Sequence, residues 1–589
     1  MLMKSYILLT IFLCLGALEA QSQNARPVPR SQRAKAVRML QAKRYALPAK
    51  ASVDYQWPTT ILQEAPEGTL TDGLSKSMSY FSYDGQSVDF GNSNCSVGAL
   101  VKGTDGNYYF SDPVSQLYSP AWLKLHVLSG DTLVARFPQA VYSETGDDGQ
   151  DVFYYAFPMK KYMVDDGWGG TTPFLKLDTL ADGKTLVDSI RFVLRNDSLI
   201  QVDDRFMGLV NNQLQWAGYG DGNITLNKIK APRYQPTAAE LAQANDYLMR
   251  TGDADTAYDW QVVKAVVGTE NVYVRNPYNN KDGQWIMGTI FGNKVHFDGN
   301  QYFGIDSTYY LHLYAMTANY TLHEEYDPTY GTNTSYYSFA FNKGFDMDYD
   351  ALSKTFGVGK KAGDTLAWLV NAGNTAPYFT ASYIRPYFSP YTEIAASPEA
   401  PVFQDNQCVA YSDAQGYGYI TFHYSKFDKN KNFLNADKYF YRVYTKSSAN
   451  ATPESFTFTP EQYSSLQSNT TDIPVKYADR NDFYTVNGSK DGDPTTAWAS
   501  FNTYTNDFYA IGVQLVYKGG GKENASDIKW WSFVNTGISN VESNRSAVSA
   551  EYYGLDGRRL TQPQNGVYMK LTRYRDGSRK VEKVIGNRQ

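Results

Sequence analysis

Residues 284–302 read QWIMGTIFGNKVHFDGNQY, and most of that pattern occurs once before, at residues 121–140, as AWLKLHVLSGDTLVARFPQA. In each stretch a Trp (Trp122, Trp285) opens an alternating run and a Gly-Asp or Gly-Asn pair follows (Gly130-Asp131, Gly292-Asn293). A second alternating run then ends at a Gln nine residues past the glycine (Gln139, Gln301). Period-two alternation marks a half-buried strand, and Gly before Asp or Asn supplies the positive φ of a tight hairpin. Two equivalent hairpins are predicted. Upstream, Asn107-Tyr108-Tyr109-Phe110-Ser111-Asp112-Pro113 matches Asn271-Val272-Tyr273-Val274-Arg275-Asn276-Pro277, so the chain carries an internal repeat about 163 residues long.

Outward from the hairpins the pattern is strand after strand. Segments at 97–102, 108–111, 123–128 and 132–137 form one four-stranded meander, and 152–159, 174–177, 190–194 and 199–202 a second. The second copy echoes them at 260–267, 272–274, 286–290, 294–297, 309–316, 336–341 and 345–349. The predicted fold class is all-β: tandem antiparallel β-meander repeats, propeller-like, with two β-sandwiches as the alternative. An immunoglobulin-like sandwich over 402–535 and a small C-terminal β domain over 551–589 follow. The two copies are expected at 80–235 and 258–390. Between them residues 236–250, PTAAELAQANDYLMR, are the best helix of the chain, opened by a Thr237/Glu240 capping box and serving as a linker over 236–257. A second linker is expected at 536–550.

Composition agrees with β structure. Forty-nine Tyr and thirty Phe in 589 residues favour pleated, half-buried surfaces. A formal charge of −5 gives no reason to expect nucleic acid as a partner. Lys4, the short apolar run at 6–17 and Ala20-Gln21-Ser22 read as a cleaved signal peptide over 1–22, followed by a basic leader and first strands over 23–79. The chain is then exported to the cell surface or the extracellular space, with the periplasm as alternative. No later stretch is apolar for long enough to span a membrane. Of the three cysteines only Cys95 and Cys408 lie beyond the leader, too few for a disulfide framework, so stability must come from packing.

The tail is similar to a known family. Tyr553-Gly554-Leu555-Asp556-Gly557-Arg558-Arg559-Leu560, Asn565-Gly566-Val567-Tyr568-Met569 and Asp576-Gly577-Ser578-Arg579-Lys580-Val581 resemble the C-terminal sorting domain of the Bacteroidetes type IX secretion system. The resemblance implies a small β-sandwich that engages secretion machinery. The Trp hairpin and the 511–528 stretch likewise resemble exported proteins of Bacteroidetes, a likeness that brings no catalytic residues with it.

Catalytic chemistry is thin. The five His (His126, His296, His312, His323, His423) fall singly, without HExxH or HxH spacing, and neither a G-x-S-x-G elbow nor a phosphate loop is present. Gly218-Tyr219-Gly220-Asp221-Gly222 reads as a turn. Asp346, Asp348 and Asp350 alternate, which on a strand places them on one face as a candidate Ca²⁺ site, a glycosidase pair or a solvated edge; Ala351 and Gly357 fail the EF-hand pattern. Loop aromatics are the better binding candidates, because each presents a rigid face and a polar tip: Trp168, Trp216, Tyr219, Tyr278 and Tyr330, with Trp530-Trp531. Trp122 and Trp285, at equivalent repeat positions, are expected in the core. The expected function is a non-enzymatic binding protein whose repeated β scaffold presents loops to a glycan or protein ligand. The alternative is a glycoside hydrolase or lyase with carboxylates in a propeller-like cleft.

Overall fold

The first repeat copy runs through twelve strands in the computed structural model: β1 (Gly68–Tyr83), β2 (Val88–Gly103), β3 (Tyr108–Ser111), β4 (Trp122–Ser129), β5 (Thr132–Arg136), β6 (Gln139–Thr145), β7 (Asp151–Asp165), β8 (Thr171–Leu177), β9 (Ser189–Arg195), β10 (Ser198–Gln201), β11 (Phe206–Val210) and β12 (Trp216–Asn227). One helical turn, α1 (Ala238–Leu241), precedes the second copy. That copy comprises β13 (Asn245–Thr251), β14 (Asp259–Val267), β15 (Asn271–Arg275), β16 (Trp285–Phe291), β17 (Lys294–Asp298), β18 (Gln301–Asp306), β19 (Leu311–Asp327), β20 (Thr332–Phe341), β21 (Gly344–Asp350), β22 (Thr355–Gly357), β23 (Leu366–Ala372), β24 (Phe379–Ile384) and β25 (Tyr387–Pro390). The structure describes residues 55–532 and 547–586, apart from 84–87, 118–119, 147–148, 166–169, 253–258, 307–309, 328–331, 359–364, 405–406, 413–414, 480, 487–492, 506–507, 554–557, 561–565 and 575–578. The expected signal peptide and basic leader lie outside the described residues.

Both hairpins form as predicted. Gly130 (φ 54°) and Gly292 (φ 60°) take the left-handed conformation in the two-residue turns β4–β5 and β16–β17. The pairing beyond them is not that of propeller blades. β5 skips its neighbours in sequence and pairs with β9, so β1, β2, β3, β4, β5, β9, β10 and β12 close on one another in a ring. The second copy closes the equivalent ring from β13, β14, β15, β16, β17, β21, β22 and β25. Each copy is therefore an eight-stranded antiparallel barrel with a core of its own, and closure removes sheet edges within each ring.

The skipped strands build a side sheet in each copy. In the first, β6 and β8 lie along one edge of β7, and β11 pairs with its other edge and with the first half of β12. In the second, β18, β19, β20, β23 and β24 repeat the arrangement. β12 serves barrel and side sheet without a break. Its counterpart has Arg385 (φ 47°) where β12 has Asn223 (φ 52°), and is interrupted between β24 and β25 by Pro386, which has no N–H to give a ladder. The Gly218–Gly222 run lies inside β12 rather than at a turn. A Cβ at Gly220 would sit 3.2 Å from the Gly208 Cα and 2.7 Å from Leu175 Cδ1, so close packing is what the glycine serves.

Two boundaries move. β1 begins at Gly68, so the first copy starts well before residue 80, and β13 begins at Asn245, inside the expected helix. The capping box is present, with the Glu240 N–H donating to Thr237 Oγ1 and the Thr237 N–H to Glu240 Oε2, yet only one turn follows it. Tyr247 and Met249, on alternate positions, fill the barrel core, and that burial overrides helical propensity.

The second compact unit, residues 393–589, contains two antiparallel sheets over one core. One sheet is built on Tyr417–Ser425 and Thr496–Thr503, the other on Tyr439–Lys446 and Ala510–Tyr517. Ala547–Tyr553, Arg559–Leu560, Gly566–Tyr574 and Arg579–Gly586 form a separate four-stranded antiparallel sheet in the tail. Cys95 and Cys408 are free thiols, and among the described residues no helix is long and apolar enough to cross a membrane.

Candidate functional site

The two copies meet where β19 pairs with β2 at Leu311 and Ser96. His312 anchors the junction: it is fully buried, with Nε2 3.0 Å from the Leu74 carbonyl and Nδ1 2.8 Å from the Tyr302 hydroxyl. Burial pushes its pKa below the ordinary value. The neutral ring thus donates from Nε2 across the junction and accepts from Tyr302.

A groove opens beside this junction. One part encloses about 500 Å³ between β1, the segment after β12, Asn300, and the β23–β24 loop. An adjoining part of about 290 Å³ shares Ser77, Asn94 and Thr375 with it. Strand alternation makes the lining. On β1, Leu74, Lys76 and Met78 point into the barrel, so Ser75 and Ser77 face out, and Asn92 and Asn94 stand opposite on β2.

The lining is largely amide and hydroxyl, without an acid among its residues; its charged members are Lys228 and Lys230. Part of it is prearranged: Ser79 Oγ donates to Asn92 Oδ1 at 2.7 Å, Asn223 Nδ2 to Ser79 Oγ at 3.1 Å, and Asn374 Nδ2 to Asn300 Oδ1 at 3.1 Å. Asn94 Oδ1 is shielded from solvent and has no hydrogen-bond partner. Half-buried Tyr378 adds an aromatic side chain, and Tyr314 is buried against the other side. Sequence reading missed this set. The available signal was the alternation Ser75-x-Ser77-x-Ser79 beside Asn92-Ser93-Asn94, an outer strand face of small polar groups, but the opposing residues lie far along the chain.

The residues singled out from sequence are not brought together. Trp168 and Tyr330 lie outside the described residues. Tyr219 is a core residue at 4% exposure, a correction to the loop reading that follows from its place on β12 between barrel and side sheet. Trp216 is half-buried, donates from Nε1 to the Tyr219 carbonyl at 2.8 Å and stacks against Tyr83 with centroids 6.2 Å apart, so it too packs rather than presents a face. Tyr278 is exposed at 40%, away from the groove lining. Trp530 lies beneath the Lys446 ammonium, 4.7 Å from its ring centre.

Asp346, Asp348 and Asp350 do share the outer face of β21, but each turns to its own neighbour. Asp346 Oδ1 is 2.7 Å from His296 Nδ1, Asp348 pairs with Lys294 at 2.5 Å, and Asp350 accepts from Ser353 Oγ at 2.9 Å. Among the described residues no group of three His, Cys, Asp or Glu side chains is gathered to hold a metal ion. All five His lie in strands.

Compared with known proteins, the chain matches no family model, no curated protein and no solved structure.

Proposed function

We propose that this chain is an exported, non-enzymatic binding protein whose ligand is a hydroxyl-rich molecule of the glycan class, seated in the groove between the two copies. The observation that carries the reading is the lining: Ser75, Ser77, Asn94, Asn227, Asn300 and Asn374 converge on one cavity of ligand size with no carboxylate among the lining residues. Amide and hydroxyl side chains offer donors and acceptors together, the complement a saccharide hydroxyl needs. Tyr378 supplies a flat face against which a sugar ring stacks. The hydrolase alternative would rest on two carboxyl groups flanking one bond, and the described residues that line the groove bring amides, hydroxyls and lysines instead.

Export rests on the leader and on the tail, which we read as a sorting module of the type IX kind. Removing residues 551–589 then leaves the protein inside the outer membrane, whereas unchanged surface display sinks that part of the reading.

The groove is tested on a glycan array followed by calorimetric titration of the best ligand. Tyr378→Ala and Asn94→Ala are each expected to weaken binding about tenfold, the equivalent of about 1.4 kcal/mol. An array blank at millimolar saccharide, or ligands that bind both variants as well as the parent, overturns the proposal.

A further inference from the structure

The first barrel holds a charged pair that the second lacks. Lys76 on β1 and Asp221 on β12 both point inward, and both side chains are 0% exposed. Lys76 Nζ lies 3.0 Å from Asp221 Oδ2, 2.6 Å from Ser115 Oγ and 2.6 Å from the Asp112 carbonyl oxygen. The same Oδ2 accepts from Ser115 Oγ at 2.7 Å and from the Ser115 N–H at 2.8 Å. The other carboxylate oxygen, Oδ1, is buried without a hydrogen-bond partner.

The duplication supplies an internal control. Lys76 stands opposite Leu226 on β12 as Met249 stands opposite Phe388 on β25, and counting back five residues from Leu226 and Phe388 sets Asp221 level with Tyr383. The second barrel therefore closes with Met249 and Tyr383 where the first has an ion pair. Exchanging a buried ion pair for packed side chains is often neutral or stabilising, so the architecture does not require these charges. A buried carboxylate with one bare oxygen is also a costly way to hold two strands together.

We propose that Lys76 and Asp221 condense to an intramolecular amide, an isopeptide bond tying the first strand of the first copy to its last. One proton of the Lys76 ammonium passes to Asp221 Oδ2, and the Nζ lone pair attacks Cγ. The N–C bond forms, the second proton leaves nitrogen, the Cγ–Oδ2 bond breaks and Oδ2 departs as water. Oδ1 remains as the carbonyl oxygen of a neutral amide. Ser115 Oγ, hydrogen-bonded to both partners, relays the second proton. No oxidant or cofactor enters the balance.

Contact at 3.0 Å in a site closed to solvent supplies the effective concentration that makes an intramolecular attack of this kind fast relative to its bimolecular counterpart. The product exchanges two buried charges for an uncharged group. It also closes a loop of 145 residues, which restricts the unfolded chain as a long-range disulfide does.

The test is peptide mapping of the purified recombinant chain by mass spectrometry. The expected result is a branched peptide joining the Lys76 and Asp221 fragments, lighter than their sum by one water, and absent from Lys76→Met, the substitution that copies Met249. Recovery of both fragments unlinked from the parent chain, with the Lys76 amine open to acylation after denaturation, overturns the proposal. Because the deciding measurement is on the unmutated protein, it stands whether or not the variant folds.

Discussion

Gln139 and Gln301 make the same three hydrogen bonds in the two copies. Gln139 Oε1 accepts from the Lys124 N–H at 2.8 Å, and its Nε2 donates to the carbonyls of Lys124 at 3.0 Å and Arg136 at 2.9 Å. Gln301 Oε1 accepts from the Met287 N–H at 2.8 Å, and its Nε2 donates to Met287 at 2.8 Å and Asp298 at 3.1 Å. The side chain bridges the hairpin backbone where Lys124 of β4 and Met287 of β16, paired with Tyr109 of β3 and Tyr273 of β15, have no ladder partner on β5 or β17. Gln301 is the more buried, at 1% exposure. Replacing it with Ala removes a buried amide and leaves the half-buried Met287 N–H without that acceptor, at an expected cost of about 2–3 kcal/mol, with about 1–2 kcal/mol for Gln139→Ala. Urea unfolding measures both, and a loss under about 0.5 kcal/mol in each would remove the bridge from the account.

The two Trp residues that open the hairpins are equivalent in sequence but unequal in burial. Trp285 is 2% exposed, with the Arg275 guanidinium 5.1 Å from its ring centre, whereas Trp122 is half-buried. Trp285→Ala is expected to destabilise by about 3–5 kcal/mol, the range for emptying a core site of an indole. Trp122→Ala should cost roughly half as much, since less apolar surface leaves water there. Equal losses in thermal unfolding would contradict the burial difference.

The junction between the copies should weaken in acid. The folded state depresses the pKa of His312 through burial, so between that value and the ordinary one near 6.5 the unfolded chain binds more protons. Stability is then full above about pH 6.5 and falls as pH drops. Protonation also sets an N–H at Nδ1 against the Tyr302 hydroxyl, which now donates there. His312→Gln is expected to flatten the slope of unfolding free energy between about pH 7 and 5; an identical slope in parent and variant would assign the acid sensitivity elsewhere.

Local chemistry made the hairpins legible and left the barrels hidden. Gly130 and Gly292 announce their turns within a few residues, but closure depends on β5 pairing with β9 and on β1 returning to β12, contacts that no local pattern encodes. Residues 245–251 show the opposite failure. Tyr247 and Met249 alternate as a strand requires, yet the segment follows directly on a capping box and an Ala- and Leu-rich run and contains Leu248, Met249 and Arg250, and the barrel core decided between the two readings. The groove is legible on one wall only: Ser75 and Ser77 could be seen as a polar face, while Asn300 and Asn374 reach it through the fold. Tyr219 was misread for want of one fact, that its glycine-rich surroundings are a strand shared by two sheets.

In the second compact unit one buried acid works against the fold at neutral pH. Asp482 is 3% exposed. Burial, and then the charge of Asp479 nearby, raise its pKa above the usual carboxylate value, although the Tyr504 hydroxyl donates to its Oδ1. Asp479 differs because its Oδ1 accepts from the backbone N–H groups of Asn481, Asp482 and Phe483 at 2.8, 2.6 and 3.0 Å, which favours its anion. For Asp482 the sign is that of a raised acid. Its favourable contribution is complete below the unfolded-state value near 3.8 and is lost as pH climbs through the folded-state value, so the ionised group is a cost at pH 7. Asp482→Asn keeps an acceptor for Tyr504 and removes the charge. The variant is therefore expected to unfold at a higher temperature than the parent at pH 7 and at about the same temperature near pH 4, and a variant less stable at pH 7 would show that the ionised carboxylate is the form the sandwich was built to hold.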